Sequence, residues 1–425
     1  MSRDYGTSSI IRRGIKVLSS IGLTAAVLLV GCSSDDPDAN ESAASASSPA
    51  TITLPSNPMG EERAAEIETL ASAIVEQAGE EVPALLIGVW DPQDGVYTTA
   101  FGMADLESGE DARVDDRFRI GSLTKTFIAT LVLVLVDQGS LALDSPVSQY
   151  VPNLAETYPD IGKVTVRQLL AMQSGLPDFE AVVGGSAASD DTFATKSWTA
   201  QELIDAAMQS GEVMPAGQPP ASYSNTNYIV LGELLEETTG QSLSDLVASQ
   251  LLSPLGLSET EYPPADSTEL TEPVLRGYVT ASGIDALTAD GGEIEPNTDV
   301  TDWTASWAGA AGIMSSTIND LATWAAADFG SSLLTESTQQ ERKEVEPLAQ
   351  AEGIYEYGLG LLKSGSWVGH TGEIPGWSTL AMRNEDNGAI VVMAINSSGD
   401  AASLSEIALL EQLYPGTTGL SGPIE

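Results

Sequence analysis

Cysteine and histidine are almost missing from this sequence. Of 425 residues, one is cysteine, Cys32, and one is histidine, His370. A lone cysteine excludes a disulfide within the chain, and the pair together excludes the clustered thiolate and imidazole ligands of a zinc hydrolase. No metal ligand set and no cofactor-binding motif is expected. Positive charge is scarce as well: 17 Lys and Arg stand against 61 Asp and Glu, a formal net charge of −44. Nucleic acid would be repelled by such a surface, and so would an anionic membrane face. The same acidity keeps a protein soluble at high ionic strength, which fits a salt-tolerant source. Apolar composition is ordinary at 42%, enough for one large core or two moderate ones.

The first long apolar run, residues 17–30, follows Arg3, Arg12, Arg13 and Lys16. It is short for a membrane span and reads as an export signal. Its end, Leu29-Val30-Gly31-Cys32, resembles the lipoprotein box of bacteria. That resemblance implies cleavage before Cys32, lipidation of Cys32, and a protein held to the outer face of the cell membrane. Residues 32–60 are rich in Ser, Ala, Asp and Pro without apolar period, the composition of a disordered tether. A single domain is expected over residues 61–415, with residues 416–425 as a tail.

Within that domain, residues 61–78 carry apolar side chains at helical spacing, and residues 83–90 and 97–103 read as strands of a hairpin. A mostly helical region follows over about 140–305, with helices expected over 164–173, 200–208, 229–239 and 243–252. Residues 179–197 are polar and rich in Gly, Ala and Ser, a loop near the site. One short strand is expected at 274–278. Strands return at 357–362, 366–370, 378–383 and 389–396, and a helix over 404–413 closes the domain. The expected class is α+β: an antiparallel sheet built from both ends of the chain, flanked by helices, with an inserted helical region.

The chemistry centres on residues 118–127, which run into the apolar segment 128–136. Read as a buried helix, this stretch carries Ser122 and Lys125 in its first turn, three apart and on one face. A desolvated lysine there can take the proton of a serine hydroxyl. Of the six lysines, Lys125 alone has a serine three residues before it. The alternative is a surface lysine near a helix start, although a charge at the mouth of an apolar helix is costly. No G-x-S-x-G elbow accompanies His370, but a Ser-His-Asp triad is not excluded by count.

Three motifs occur in order: Ser122-Leu123-Thr124-Lys125, Tyr223-Ser224-Asn225 and His370-Thr371-Gly372. With residues 166–170, 174–176 and 254–257, they make the chain resemble the serine penicillin-recognising hydrolases, which include class C β-lactamases, soluble D-alanyl-D-alanine carboxypeptidases and related esterases. The similarity covers roughly residues 60–415 and implies a β-lactamase/transpeptidase-like fold. It makes Ser122 the acylated nucleophile and Lys125 its activator. Tyr223 would share the base work, provided that Lys125 lowers its pKa. Asn225 would donate its amide to the substrate carbonyl, and His370 would lie near the Tyr223 oxygen, with Thr371 and Gly372 beside the substrate. The oxyanion hole would use the Ser122 N–H and an N–H of the strand carrying His370. Without the other motifs, Tyr223-x-Asn225 reads better as a helix N-cap segment.

Glu373 departs from the pattern. Strand alternation puts Thr371 and Glu373 on one face. If that face lines the pocket, Glu373 repels a free substrate carboxylate; otherwise it turns to solvent or pairs with an arginine. The expected function is therefore an acyl-enzyme-forming serine hydrolase of the cell envelope, related to D-alanyl-D-alanine carboxypeptidases or β-lactamases. An esterase or amidase for neutral or cationic acyl compounds is the alternative, and a non-catalytic protein that binds wall fragments is the alternative of another class.

Overall fold

The computed structural model describes residues 52–184, 192–264, 266–288, 293–351 and 353–419. The export signal, Cys32 and the tether up to residue 51 lie outside these. Helix α1, Glu61–Ala78, has Glu61 and Glu62 in its first turn, where they complement the positive end of the helix dipole. The expected hairpin is β1, Ala84–Asp91, and β2, Gly95–Asp105. β1 is buried at every position, so helices must cover both of its faces. β3 is the two-residue Glu110–Asp111. The remaining sheet strands come from the last fifth of the chain: β4 Glu346–Pro347, β5 Glu356–Tyr357, β6 Leu362–Ser364, β7 Trp367–Ile374, β8 Trp377–Asn384 and β9 Ile390–Ile395.

Among the described residues these form one nine-stranded antiparallel sheet in the order β3-β2-β1-β9-β8-β7-β6-β5-β4. The register Leu85–Ile395 to Trp90–Ile390 joins the two ends of the chain at its centre. The main helices, after α1, are α2 Thr124–Asp137, α3 Ala200–Ser210, α4 Thr226–Thr239, α5 Ile318–Ala326 and α6 Asp400–Leu413. α1 and α6 lie together, with Arg63 of α1 donating to the Leu413 carbonyl of α6 at 2.7 Å. α5 packs against β1, β8 and β9. The class is α+β, as the sequence indicates.

α2 is buried from Thr124 to Leu133. Trp324 of α5 stacks on Phe127 with ring centres 4.0 Å apart and donates its indole N–H to Thr126 at 2.8 Å. The positively charged Arg342, fully buried, donates to Phe329 O at 2.7 Å and reaches Thr126 O at 3.3 Å. These contacts fix the helix that carries the reactive lysine.

Several expected boundaries shift, each for a local reason. Residues 52–60 are not wholly tether: Met59 is buried, and Val96 exchanges hydrogen bonds with Asn57 and Met59. The tail is attached too, since Trp367 donates to Thr417 and Ser364 to Thr418. The helix expected over 164–173 is only Val166–Leu170, started by a Thr165–Gln168 capping box and ended by Met172 at φ 57°. The expected strand over 357–362 splits into β5 and β6. Between them Gly360, at φ +80°, lets the chain approach α2 so closely that a Cβ would lie 2.2 Å from that of Ala129. The strand expected at 274–278 survives only as Tyr278–Val279.

Candidate active site

Phe118–Arg119 pairs with Ser315–Ser316, and the chain then turns through the short 3-10 segment Gly121–Leu123 into α2. Two glycines make this turn possible. Gly121 sits at φ +50°, where any Cβ would come within 2.8 Å of the Glu373 backbone. A Cβ on Gly372 would meet Ile120 O at 2.0 Å. β7 and the turn bearing Ser122 are thus in backbone contact. The ladder between β6 and β7 ends at Leu362–Gly369, so from His370 onward β7 has an open edge.

Lys125 is fully buried, and its amine touches three acceptors: Ser122 Oγ at 2.9 Å, Asn225 Oδ1 at 2.7 Å and Ala311 O at 2.8 Å. Two of these can only accept, whereas the serine hydroxyl can also donate. A neutral amine therefore fits the same position: it keeps two N–H bonds and turns its lone pair to Ser122. Burial pushes the Lys125 pKa down to about 7, against the upward pull of Glu180 and Asp178. The rings of Tyr223 and Tyr228, with centres 5.0 and 5.6 Å from the nitrogen, complete a dry enclosure.

Tyr223 lies within reach of Ser122, but its phenol is not the lowered one that the sequence suggests. Burial raises its pKa well above the usual value and outweighs the Ser122 hydrogen bond. The phenol keeps its proton at rest. Gln350 holds the Tyr223 backbone from both sides, accepting from its N–H at 3.0 Å and donating to its carbonyl at 3.2 Å. Asn225 Nδ2 is also committed: it donates to Asp178 at 3.1 Å and Glu180 at 2.5 Å. The expected open amide is thus tied to two acids that sequence reasoning missed. Both carboxyls line the cleft and are raised, chiefly by desolvation and, for Glu180, by Asp178 beside it.

His370 is buried, and its pKa is pushed down to about 3 by burial and by Lys125, so the ring is neutral. Nδ1 faces the Thr371 carbonyl at 2.5 Å and must carry the hydrogen, which leaves Nε2 to accept from Tyr357 Oη at 3.2 Å. Its direct partner is Tyr357; Tyr223 packs beside it, ring centres 6.3 Å apart. Glu373 faces the cleft rim. Its two oxygens accept from Gly399 N at 3.0 Å and Ser403 Oγ at 3.1 Å, at the start of α6.

Ser122, Asp178, Glu180, Tyr223, Asn225, His370, Thr371 and Glu373 line one cleft of about 670 Å³, whose apolar part is Leu287, Trp307, Leu348 and Ile374. Lys125 lies just beneath Ser122, and Gly372 lies within β7, against Ile120. Among the described residues no lysine or arginine lines this cleft. Among the described residues no group of three or more His, Cys, Asp or Glu side chains is placed to hold a metal ion. Asp178 and Glu180 were hidden in sequence because they flank a polar loop without period; only their separation by two hinted at a shared side.

The sequence matches the beta-lactamase family model over residues 71–414. It is 26% identical over 317 residues to penicillin-binding protein 4* of Bacillus subtilis (strain 168), covering 72% of this chain and 66% of that protein. It is 28% identical over 335 residues to a D-aminopeptidase of Cereibacter sphaeroides, covering 77% of this chain and 59% of that protein. The chain thus spans less than two thirds of the length of these curated relatives. Among solved structures, D-amino acid amidase from Ochrobactrum anthropi SV3, complexed with D-phenylalanine, superposes with a TM-score of 0.71 at 30% identity, covering 83% of this chain and 98% of that one.

Proposed function

The chain belongs to the beta-lactamase family, and from that premise we propose that it is a serine hydrolase that cleaves amides or esters of acyl groups bearing a free amine. D-amino acid amides are the foremost class. One observation carries this reading: the cleft beside Ser122 holds Asp178, Glu180 and Glu373 and, among the described residues, is lined by no cationic side chain. A protonated amine gains there what a carboxylate loses. The names of the D-aminopeptidase and D-amino acid amidase relatives agree with that charge pattern. A penicillin or a D-alanyl-D-alanine terminus would instead bring a free carboxylate toward these acids.

In the reaction we infer, neutral Lys125 takes the Ser122 proton as Oγ attacks the carbonyl carbon. The carbonyl oxygen becomes an oxyanion facing the Ser122 N–H and the open edge of β7. The Tyr223 phenol, protonated at rest, gives its proton to the leaving nitrogen or oxygen and is reprotonated from Lys125. Water then cleaves the acyl-enzyme with the same groups working in reverse. His370 keeps Tyr357 and the strand in place and does not titrate. For location, we propose export and a lipid on Cys32, supported by the run of residues 3–32. Labelling of the wild type but not of Cys32→Ala by an alkynyl fatty acid tests it.

The activity test compares D-phenylalanine amide, N-acetyl-D-phenylalanine amide and benzylpenicillin on one preparation. The free amine should be turned over at least about tenfold more efficiently, the ratio that about 1.4 kcal/mol supplies. Equal or better turnover of the acetylated or carboxylated compounds would reject the reading.

A further inference from the structure

A second cavity, of about 360 Å³, lies behind the nucleophile between α3, α4 and the chain near Tyr262. Leu203, Ile229, Leu243 and Ile313 make its walls apolar. Polar groups interrupt them, among them Glu236, which already accepts from Leu243 N at 2.8 Å, and two bear on a ligand. Glu233 of α4 is half-buried, and none of the described hydrogen bonds or ion pairs involves it; burial and the neighbouring Glu236 and Glu237 raise its pKa. The indole N–H of Trp198 is buried and has no acceptor. Lys196 lies 3.4 Å over the Trp198 ring and is paired with Glu202 at 3.2 Å.

The cavity and the catalytic centre share one segment. Ser306, Gly309, Ala310 and Ile313 face the cavity, whereas Trp307 lines the cleft and the Ala311 carbonyl holds Lys125 at 2.8 Å. Ala310 packs so tightly on α4 that a Cβ at Gly232 would come within 2.9 Å of its own. A close-packed segment of this kind passes displacement on rather than absorbing it.

We propose that this cavity is a second ligand site, for a small amine with an apolar body, and that its occupancy alters the rate at Ser122. The ammonium meets Glu233, the body fills the space between Leu203 and Ile313, and an acceptor atom on the ligand, where present, meets the Trp198 N–H. A charged head distinguishes this ligand from a plain hydrocarbon, which would leave Glu233 unpaired in an apolar wall.

The experiment uses N,N-dimethyl-2-phenylethylamine, which is cationic at pH 7 and forms no stable amide with an acyl-enzyme. A neutral aryl ester is held at saturation, so that amine bound in the cleft itself is displaced and affects only KM. The amine should change kcat by about twofold or more in the wild type. In Glu233→Gln the amine-free kcat should stay as it is, and the amine concentration for half the effect should rise at least about tenfold. An effect on KM alone in the wild type overturns the proposal without recourse to the variant. So does a response in Glu233→Gln that matches the wild type.

Discussion

The two sides of the Lys125 amine treat charge in opposite ways. Toward Ser122 lie Tyr223, Tyr228, Tyr357 and a neutral His370, all buried or nearly so, whose own pKa values are moved away from ionisation. Toward Asn225 lie Asp178 and Glu180, carboxyls open to the cleft and crowded against each other. The dry side sets the lysine near neutrality at pH 7, and the acidic side pulls it back toward the cation. Reactivity and charge preference are thus assigned to different walls, and each can be broken separately.

The largest effect should come from the dry wall. Ser122→Ala removes the atom that becomes acylated, so kcat should fall by on the order of 10³-fold or more, and labelling by a fluorophosphonate should vanish. Labelling that persists at another serine would dissolve the distinction altogether. Lys125→Ala and Tyr223→Phe should each cost about 10²–10⁴-fold in kcat, the range of proton-transfer groups. Combined, they should cost less than the sum in transition-state energy, because they handle one proton in sequence. Strict additivity would show two independent groups.

The acidic wall should show smaller, signed changes. Glu180→Gln should lower kcat/KM for a D-amino acid amide by about tenfold, or roughly 1.4 kcal/mol, and barely change a neutral aryl ester. The same variant sharpens the pH dependence. Lys125 works as a base only when neutral, so kcat/KM for a neutral aryl ester should climb through about pH 7 and level off above it. Removing Glu180 removes a charge that raises the lysine pKa, so the rise should move to lower pH. A rise that stays in place or moves upward would uncouple the walls. The smallest change is expected at Glu373→Gln, under about threefold for either substrate, since helix α6 already satisfies that carboxylate through Gly399 N–H and the Ser403 hydroxyl. A tenfold gain for carboxylate-bearing substrates would put Glu373 at the reaction centre instead.

How much of this was readable from the chain differs between its parts for physical reasons. β1 and β9 are nearly continuous apolar runs, β2 is joined to β1 by a short turn, and helix α1 has apolar period, so their limits are local properties. The same is true of Ser122 and Lys125, three residues apart on one turn. Asp178, Gln350 and Tyr357 owe their positions to contacts across 47, 127 and 13 residues, with Asn225, Tyr223 and His370 respectively. No local spacing encodes such contacts. The direction of the Tyr223 shift was misjudged for a related reason: a neighbouring cation is visible in a motif, but the burial that outweighs it is a property of the whole fold.

The outermost strand β4 has a consequence of its own. It is two residues long, Glu346–Pro347, and the chain around Ala221 closes over it: Ala221 N donates to Pro347 O at 2.9 Å and receives from Ala349 N at 2.8 Å. At the other margin, β3 is the acidic pair Glu110–Asp111. Neither margin offers a long row of bare amide groups on which a second molecule could extend the sheet. Self-association by strand addition is thereby discouraged at both ends. On one side the segment that does the sealing is also the one that delivers Tyr223, two residues further on. Loosening that seam would release the phenol from the reaction centre and uncover an adhesive margin in a single event.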